Sequence, residues 1–285
     1  MRELVPWWGR IGAKLVLSRI PAGYSLWRKL HIFTHGAMHQ SEYALGVFRQ
    51  HFARSGLQLG AKFVALEIGP GDSVSSALIA AAHGALHTYL VDAGPFATAE
   101  MSVYRGLAQH LRAQGLASPA IDASQDLDSL LAVCRATYGT AGLESLREIP
   151  TASVDFIWSH AVLEHIRRHE FAEFMRETRR VLRPGGICSH QIDLRDHLGG
   201  ALNNMRISSR WWEATWMARS GFYTNRLKKS EILQMFAAAG FEVEVVSVSR
   251  WDQVPTPLRV LATEFRGLAA DELLVSGFTV LLRPV

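Results

Sequence analysis

The stretch Glu67-Ile-Gly69-Pro-Gly71-Asp-Ser73 is the first whose residue types point to chemistry. Glycine has no Cβ, so a turn built on Gly69 and Gly71 lets backbone approach a ligand closely. Farther along, Asp92 closes a short apolar run, Thr88-Tyr-Leu-Val91. A carboxylate in that place accepts hydrogen bonds from paired neutral donors such as ribose hydroxyls. The plain alternatives are a strand-to-helix turn for the glycines and an N-cap or surface turn for Asp92. The dinucleotide fingerprint needs Gly or Ala where Val74 stands, and the Walker lysine is absent, so pyrophosphate binding is disfavoured.

A second set of candidates follows two later apolar runs. Val154-Asp-Phe-Ile-Trp158 leads into Ser159 and His160, and Ile187 to Ile192 carries Ser189 and His190 and leads into Asp193, Arg195, Asp196 and His197. Imidazole changes charge near neutral pH, which suits a general base for a hydroxyl. His190 or His160 is therefore expected to take a proton, with Asp193 orienting it. The alternative is that Asp196 and His197 cap a helix and His190 is a satisfied polar group of the core. A divalent metal held by this His/Asp cluster is a weaker reading, and no metal is expected. Residues 201–229 add Trp211, Trp212, Trp216, Phe222, Tyr223 and Arg226. Aromatic faces beside guanidinium groups suit a sugar or another polyhydroxylated small molecule. Arg195, Trp212, Tyr223 and Arg226 are expected to contact such an acceptor, unless the aromatics form a lid packed on the core.

The elements that must position these residues alternate. Apolar runs at 63–68, 88–91, 154–158, 187–192, 241–249 and 278–282 read as strands. Helical patterns cover 75–82, 97–113, 126–137, 171–182 and 230–239. This alternation implies βαβ units and a mostly parallel sheet. With 48% hydrophobic and 20% charged residues, the chain has material for a large core. Cys134 and Cys188 are too few and too isolated for a disulfide framework or a cysteine-based zinc site.

Residues 1–60 form a separate compositional unit, a helical extension before a main domain at 61–285. Eight Lys/Arg and two Asp/Glu make this segment basic, although the whole chain carries only +4. A helix is expected after Ser41, through Tyr43, Ala44, Val47, Phe48 and Phe52. His31, His35 and His39 recur at helical spacing, but Thr34 and Gly36 interrupt the helix, so surface or lid histidines are favoured over a metal site. Trp7 and Trp8 with Arg10, Lys14 and Arg19 permit peripheral contact with an anionic membrane, against packing onto the main domain as the preferred reading. No nucleic-acid partner is expected, because the body lacks a recognisable RNA-binding module. No secretory leader is evident and a cytoplasmic location is expected.

Glu67-Ile-Gly-Pro-Gly71, Leu90-Val-Asp92, Val154-Asp-Phe-Ile-Trp-Ser-His-Ala-Val-Leu-Glu-His165 and Val181-Leu-Arg-Pro-Gly-Gly186 resemble, in order and spacing, the motifs of class I S-adenosylmethionine-dependent methyltransferases. The resemblance covers roughly residues 60–285. It implies a Rossmann-like α/β fold, a seven-stranded mostly parallel sheet with an antiparallel last strand. It also implies S-adenosylmethionine as cofactor, with Gly69 and Gly71 under its methionyl portion, Glu67 close by, Asp92 on the ribose and Ser159 and His160 beside the reacting methyl. Leu143, Glu144 and Ser145 would lie near the adenine, in a loop that departs from the family's usual Asp-Ala pattern. The segment Thr34-His-Gly-Ala-Met38, with Tyr43 and Phe48, resembles the N-terminal lid of bacterial methyltransferases of polysaccharide and glycoconjugate pathways. Methylation at oxygen of a small or glycan-like acceptor is the implied activity. A non-catalytic interaction subunit that keeps the cofactor fold is the alternative, and a nicotinamide oxidoreductase a weaker third.

Overall fold

The computed structural model describes residues 37–285 together with Gly9. His31, His35, Trp7 and Trp8, and the expectations attached to them, lie outside the described residues. In chain order the main elements are α1 (Ser41–Ser55), β1 (Phe63–Ile68), α2 (Ser75–His83), β2 (Ala85–Val91), α3 (Met101–Ala113), α4 (Leu127–Cys134), β3 (Ala136–Gly139) and α5 (Leu143–Arg147). There follow β4 (Val154–His160), α6 (Phe171–Val181), β5 (Leu182–Asp193), α7 (Ser209–Trp212), α8 (Thr215–Ala218), α9 (Lys229–Ala238), β6 (Phe241–Arg250), α10 (Ala270–Leu273) and β7 (Val275–Pro284).

One seven-stranded sheet runs β3-β2-β1-β4-β5-β7-β6. β1 pairs in parallel with β2 and β4, β2 with β3, and β4 with β5. β7 inserts between β5 and β6, antiparallel to both. The strand order reverses between β1 and β4, and the carboxyl ends of β1, β2 and β4 meet there along one edge. That edge is where an open α/β sheet receives a ligand.

Side chains alternate across each strand, so the sheet carries two cores. On one face α1, α2, α3 and α4 pack over Phe63, Ala65, Phe156 and Trp158. On the other α5, α6 and α9 pack over Leu66, Ile68, Ile157 and Cys188. α2 is alanine-rich because it is hemmed in by neighbours: eight of its nine residues are buried. Its C-terminal Gly84 sits at φ +111°, in the left-handed region that a side chain resists.

One sequence expectation is revised here. The helical pattern at 126–137 splits: α4 ends at Cys134, Arg135 turns through φ 51°, and Ala136–Gly139 form β3. The Asp126 side chain fixes the start of α4 by accepting from Ser129 N at 2.9 Å. Phe48 on α1 is fully buried, stacks on Phe52 and meets Phe156 and Trp158 edge to face. α1 thus packs into the core of the sheet's first face. Among the described residues, no helix is long and apolar enough to cross a membrane.

Candidate functional site

Glu67 to Asp72 leave the end of β1, and Gly69 and Gly71 both adopt left-handed φ values, 75° and 70°. Gly69 N donates to Val91 O at 2.8 Å, tying the turn to the next strand. A Cβ on Gly69 would fall 2.5 Å from both Val162 methyls, so Val162 as well as φ demands glycine there. Gly71 N donates to Asp92 Oδ2 at 2.8 Å across 21 residues of sequence. Ala93 N donates to Asp92 Oδ1 at 2.7 Å. Each Asp92 oxygen keeps a second lone-pair direction, so the carboxylate can still accept from a diol. Burial raises its pKa to about 6, against the two main-chain donors that favour the ion.

The loop that follows β3 is anchored to the same residue. Asp92 N donates to Gly139 O at 2.9 Å, and Gly142 N donates to Asp92 O at 2.8 Å. Ser145 Oγ accepts from Ala141 N at 3.0 Å, which holds the start of α5 against this loop. Tyr138 OH donates to Gly94 O at 3.1 Å and accepts from Phe96 N at 3.2 Å, shaping the segment after Asp92. Beneath the glycine turn, Glu67 is buried, and among the described residues it has no charged partner and its Oε2 lacks a hydrogen bond. Burial pushes its pKa well above the ordinary value, with the Ser76 hydroxyl beside it opposing and Asp92 adding to the rise. His39, just before α1, reaches over to the turn: its Nδ1 lies 2.6 Å from Asp72 Oδ2.

These features fit a nucleoside that carries a diol and a positive charge. Gly69 and Gly71 give backbone close to the ligand, Asp92 offers paired acceptors, and Glu67 supplies an unsatisfied buried carboxyl oxygen. Phosphate binding finds no such support here, because the polar groups presented are carboxyls.

The histidines divide between the two faces of the sheet. His160, the last residue of β4, is half-buried at the carboxyl edge, and its Nδ1 lies 3.3 Å from His51 Nε2. His51 Nδ1 in turn lies 2.8 Å from Ser189 Oγ. Tyr43 sets its ring edge-on to His160 at 6.4 Å. Burial lowers the His160 pKa, with the Arg54 cation adding to the fall and Asp193 opposing it. His160 is therefore the neutral imidazole at pH 7, as a proton acceptor must be.

His190 and Ser159 are one residue out of phase with this group and point into the opposite core. His190 is fully buried, its Nδ1 lies 2.8 Å from Ser159 Oγ, and its ring stacks on Phe236 of α9. Burial drives its pKa down to about 3. This pair does not open onto the sheet edge, contrary to the expectation for both residues. Among the described residues Asp193 hydrogen-bonds no histidine: its carboxylate is engaged by Arg195, with Nη2 to Oδ2 at 2.7 Å and Nε to Oδ1 at 2.9 Å. Arg195 in turn is committed to Asp193.

The aromatic insertion is built differently from the expectation too. Trp212 is fully buried and its Nε1 donates to Thr224 O at 2.7 Å. Tyr223 OH donates to Glu213 Oε2 at 2.8 Å. Arg226 is buried at φ 57°, its Nη1 donating to Ile207 O at 2.7 Å and its guanidinium stacked between Trp212 and Phe265. Burial lowers its pKa to about 10, so it stays cationic, and its Nε has no hydrogen-bond partner among the described residues. These three side chains are buried and hold the insertion together. Trp211 and Trp216 are the aromatics this segment exposes, edge to face at 6.5 Å, with Arg210 over Trp211. Asp196 caps its own loop by accepting from Leu198 N at 2.8 Å, Gly200 N and Asn203 N. His165 Nδ1 donates to Tyr223 O at 2.8 Å and its ring stacks on His197.

His51 was not among the sequence candidates. The signal was present, since Ala44, Val47, Phe48, His51 and Phe52 form one helical stripe and His51 is the polar residue in it. Among the described residues no group of three or more His, Cys, Asp or Glu could hold a metal ion.

Residues 66–189 match the family described as methyltransferase domain. No curated protein matches the chain. Among solved structures, phosphoethanolamine N-methyltransferase 2 of Haemonchus contortus aligns over 94% of this chain and 60% of its own, at 14% identity and TM-score 0.49. The YcgJ protein of Bacillus subtilis aligns over 86% of this chain and 99% of its own, at 15% identity and TM-score 0.47. A S-adenosylmethionine-dependent methyltransferase of Methanosarcina mazei aligns over 84% and 97%, at 14% identity and TM-score 0.47.

Proposed function

We propose that this chain is a methyltransferase that uses S-adenosylmethionine to methylate an oxygen of a small or glycan-like acceptor, with His160 as the general base. The observation that carries the reading is the hydrogen bond from Gly71 N to Asp92, which joins a glycine turn and a carboxylate at the reversal point of the sheet. The methyltransferase match over 66–189 supports S-adenosylmethionine as the cofactor.

When bound, the cofactor supplies a sulfonium methyl group that an in-line nucleophile removes. The chain's own residues have three tasks. Asp92, held by two main-chain donors, accepts from the ribose hydroxyls and fixes the nucleoside. Gly69 and Gly71 admit the methionyl portion against the backbone, with Glu67 below. His160 takes the hydroxyl proton of the acceptor, at the edge next to this turn; a positioned base contributes about 10²–10⁴-fold. On the acceptor side, Trp211 and Trp216 replace the buried aromatics as the faces available to a sugar ring.

Calorimetry with S-adenosylmethionine and S-adenosylhomocysteine tests the cofactor, and methyl transfer from the tritiated cofactor into a cell extract tests catalysis. Binding and labelled product are expected, with His160→Gln lowering kcat and leaving cofactor affinity in place. Binding without label in any extract would favour an interaction subunit instead.

A further inference from the structure

His51 is a buried titratable group that the proposed reaction does not itself use. It lies on α1, 109 residues from His160 in sequence, and its ring is wedged against Trp158 with centroids 5.1 Å apart. One ring nitrogen faces Ser189 and the other faces His160. We propose that His51 is a positioning residue, which accepts from His160 Nδ1–H and so leaves His160 Nε2 as a bare lone pair available to the acceptor. The proposal rests on the reading of His160 as base and adds how the ring is prepared for it.

Burial, together with the positive charge that His160, Arg54 or His190 would present, pushes the His51 pKa down to about 2, so the ring is neutral and carries one proton. The Ser189 hydroxyl, 2.8 Å from Nδ1, can accept, and the proposal places the His51 N–H there, donated to Oγ. His51 Nε2 is then the acceptor, and the proton in the 3.3 Å contact belongs to His160 Nδ1. A neutral imidazole protonated on Nδ1 is unprotonated on Nε2, the state a base needs. Facing His160 are His51, Arg54 and Tyr43 from α1 and Asp193 from β5. None of the others has its ring or carboxylate in a hydrogen bond to His160 among the described contacts. His51 is therefore the group that selects the tautomer.

Nitrogen-15 NMR of the histidine-labelled full chain reads the tautomer directly. The expected result is an Nδ1–H His160 in the wild type that changes to Nε2–H in His51→Phe, which keeps the ring on Trp158 but removes the acceptor. His51→Gln, whose amide oxygen can accept from His160 Nδ1, is expected to restore Nδ1–H. In the same series kcat is expected to fall roughly 10²-fold in His51→Phe and recover in His51→Gln, at unchanged S-adenosylhomocysteine affinity. A wild-type His160 carrying its proton on Nε2 overturns the proposal, and this measurement needs no variant to fold. So does a tautomer that His51→Phe leaves alone. The base reading fails separately, if His160→Gln keeps full kcat while the tautomer still responds to His51.

Discussion

Replacing Asp92 by Asn removes the charge of the residue proposed to hold the ribose. The side chain keeps its shape and one acceptor oxygen, while its NH2 faces one of the two main-chain donors, Gly71 N or Ala93 N, so the figure that follows is a minimum. A hydrogen bond to a charged group is worth about 1.5–3 kcal/mol and a neutral one about 0.5–1.5, so the exchange costs roughly 1–1.5 kcal/mol, or about tenfold in affinity. The wild-type advantage also depends on pH. With the Asp92 pKa raised to about 6 by burial, nearly all molecules carry the ion at pH 7.5. At one unit below the pKa only about a tenth do, and apparent affinity falls by roughly that factor. Calorimetric titration with S-adenosylhomocysteine between pH 5 and 8 should therefore show about tenfold tighter binding to wild type at pH 7.5, shrinking towards equality at pH 5. In the free protein the sign is opposite. A carboxyl whose folded pKa lies above its ordinary 3.8 binds more protons in the folded state, so stability declines as pH rises from about 4 to 6. Equal affinities at pH 7.5, or a ratio that stays constant down to pH 5, would refute the assignment of Asp92 to the ribose.

Phe48→Ala should lower stability by about 3–5 kcal/mol in urea unfolding, because it empties a fully buried aromatic site between α1 and β4; a loss under 1 kcal/mol would show that α1 is not core. Glu67→Gln should flatten the dependence of stability on pH. The wild-type carboxyl is held protonated by burial, so its fold weakens as pH rises above 4.5, whereas the amide does not titrate; parallel pH profiles for the two proteins would contradict the burial argument. Trp212→Phe should cost about 1–3 kcal/mol, since it leaves the buried Thr224 carbonyl without its donor, while Trp211→Ala stays within about 0.5 kcal/mol of wild type. Thermal melts of the two variants check the contrast, and a destabilised Trp211→Ala would place that ring in the core.

Much of the architecture was legible because it is written in local patterns. β1 and β4 are short, mostly apolar runs, and their glycine or polar ends mark the carboxyl edge. β3 escaped because four residues with mixed burial carry too little periodicity to separate from the helix before them. The insertion misled for a related reason. Composition announces aromatics and arginine, but Trp212 and Trp211 are neighbours of the same type, and packing buries one and exposes the other.

Residue type and spacing along the chain determined the strand ends, the glycine turn and the carboxylate after β2, since each depends on a few consecutive residues. Only the folded sheet decided which histidines meet. A strand turns successive side chains to opposite faces, so Ser159 and His190 enter one core while His160 and Ser189 face the other, where α1 brings His51 between them. That meeting depends on contacts more than a hundred residues apart, which no local pattern encodes.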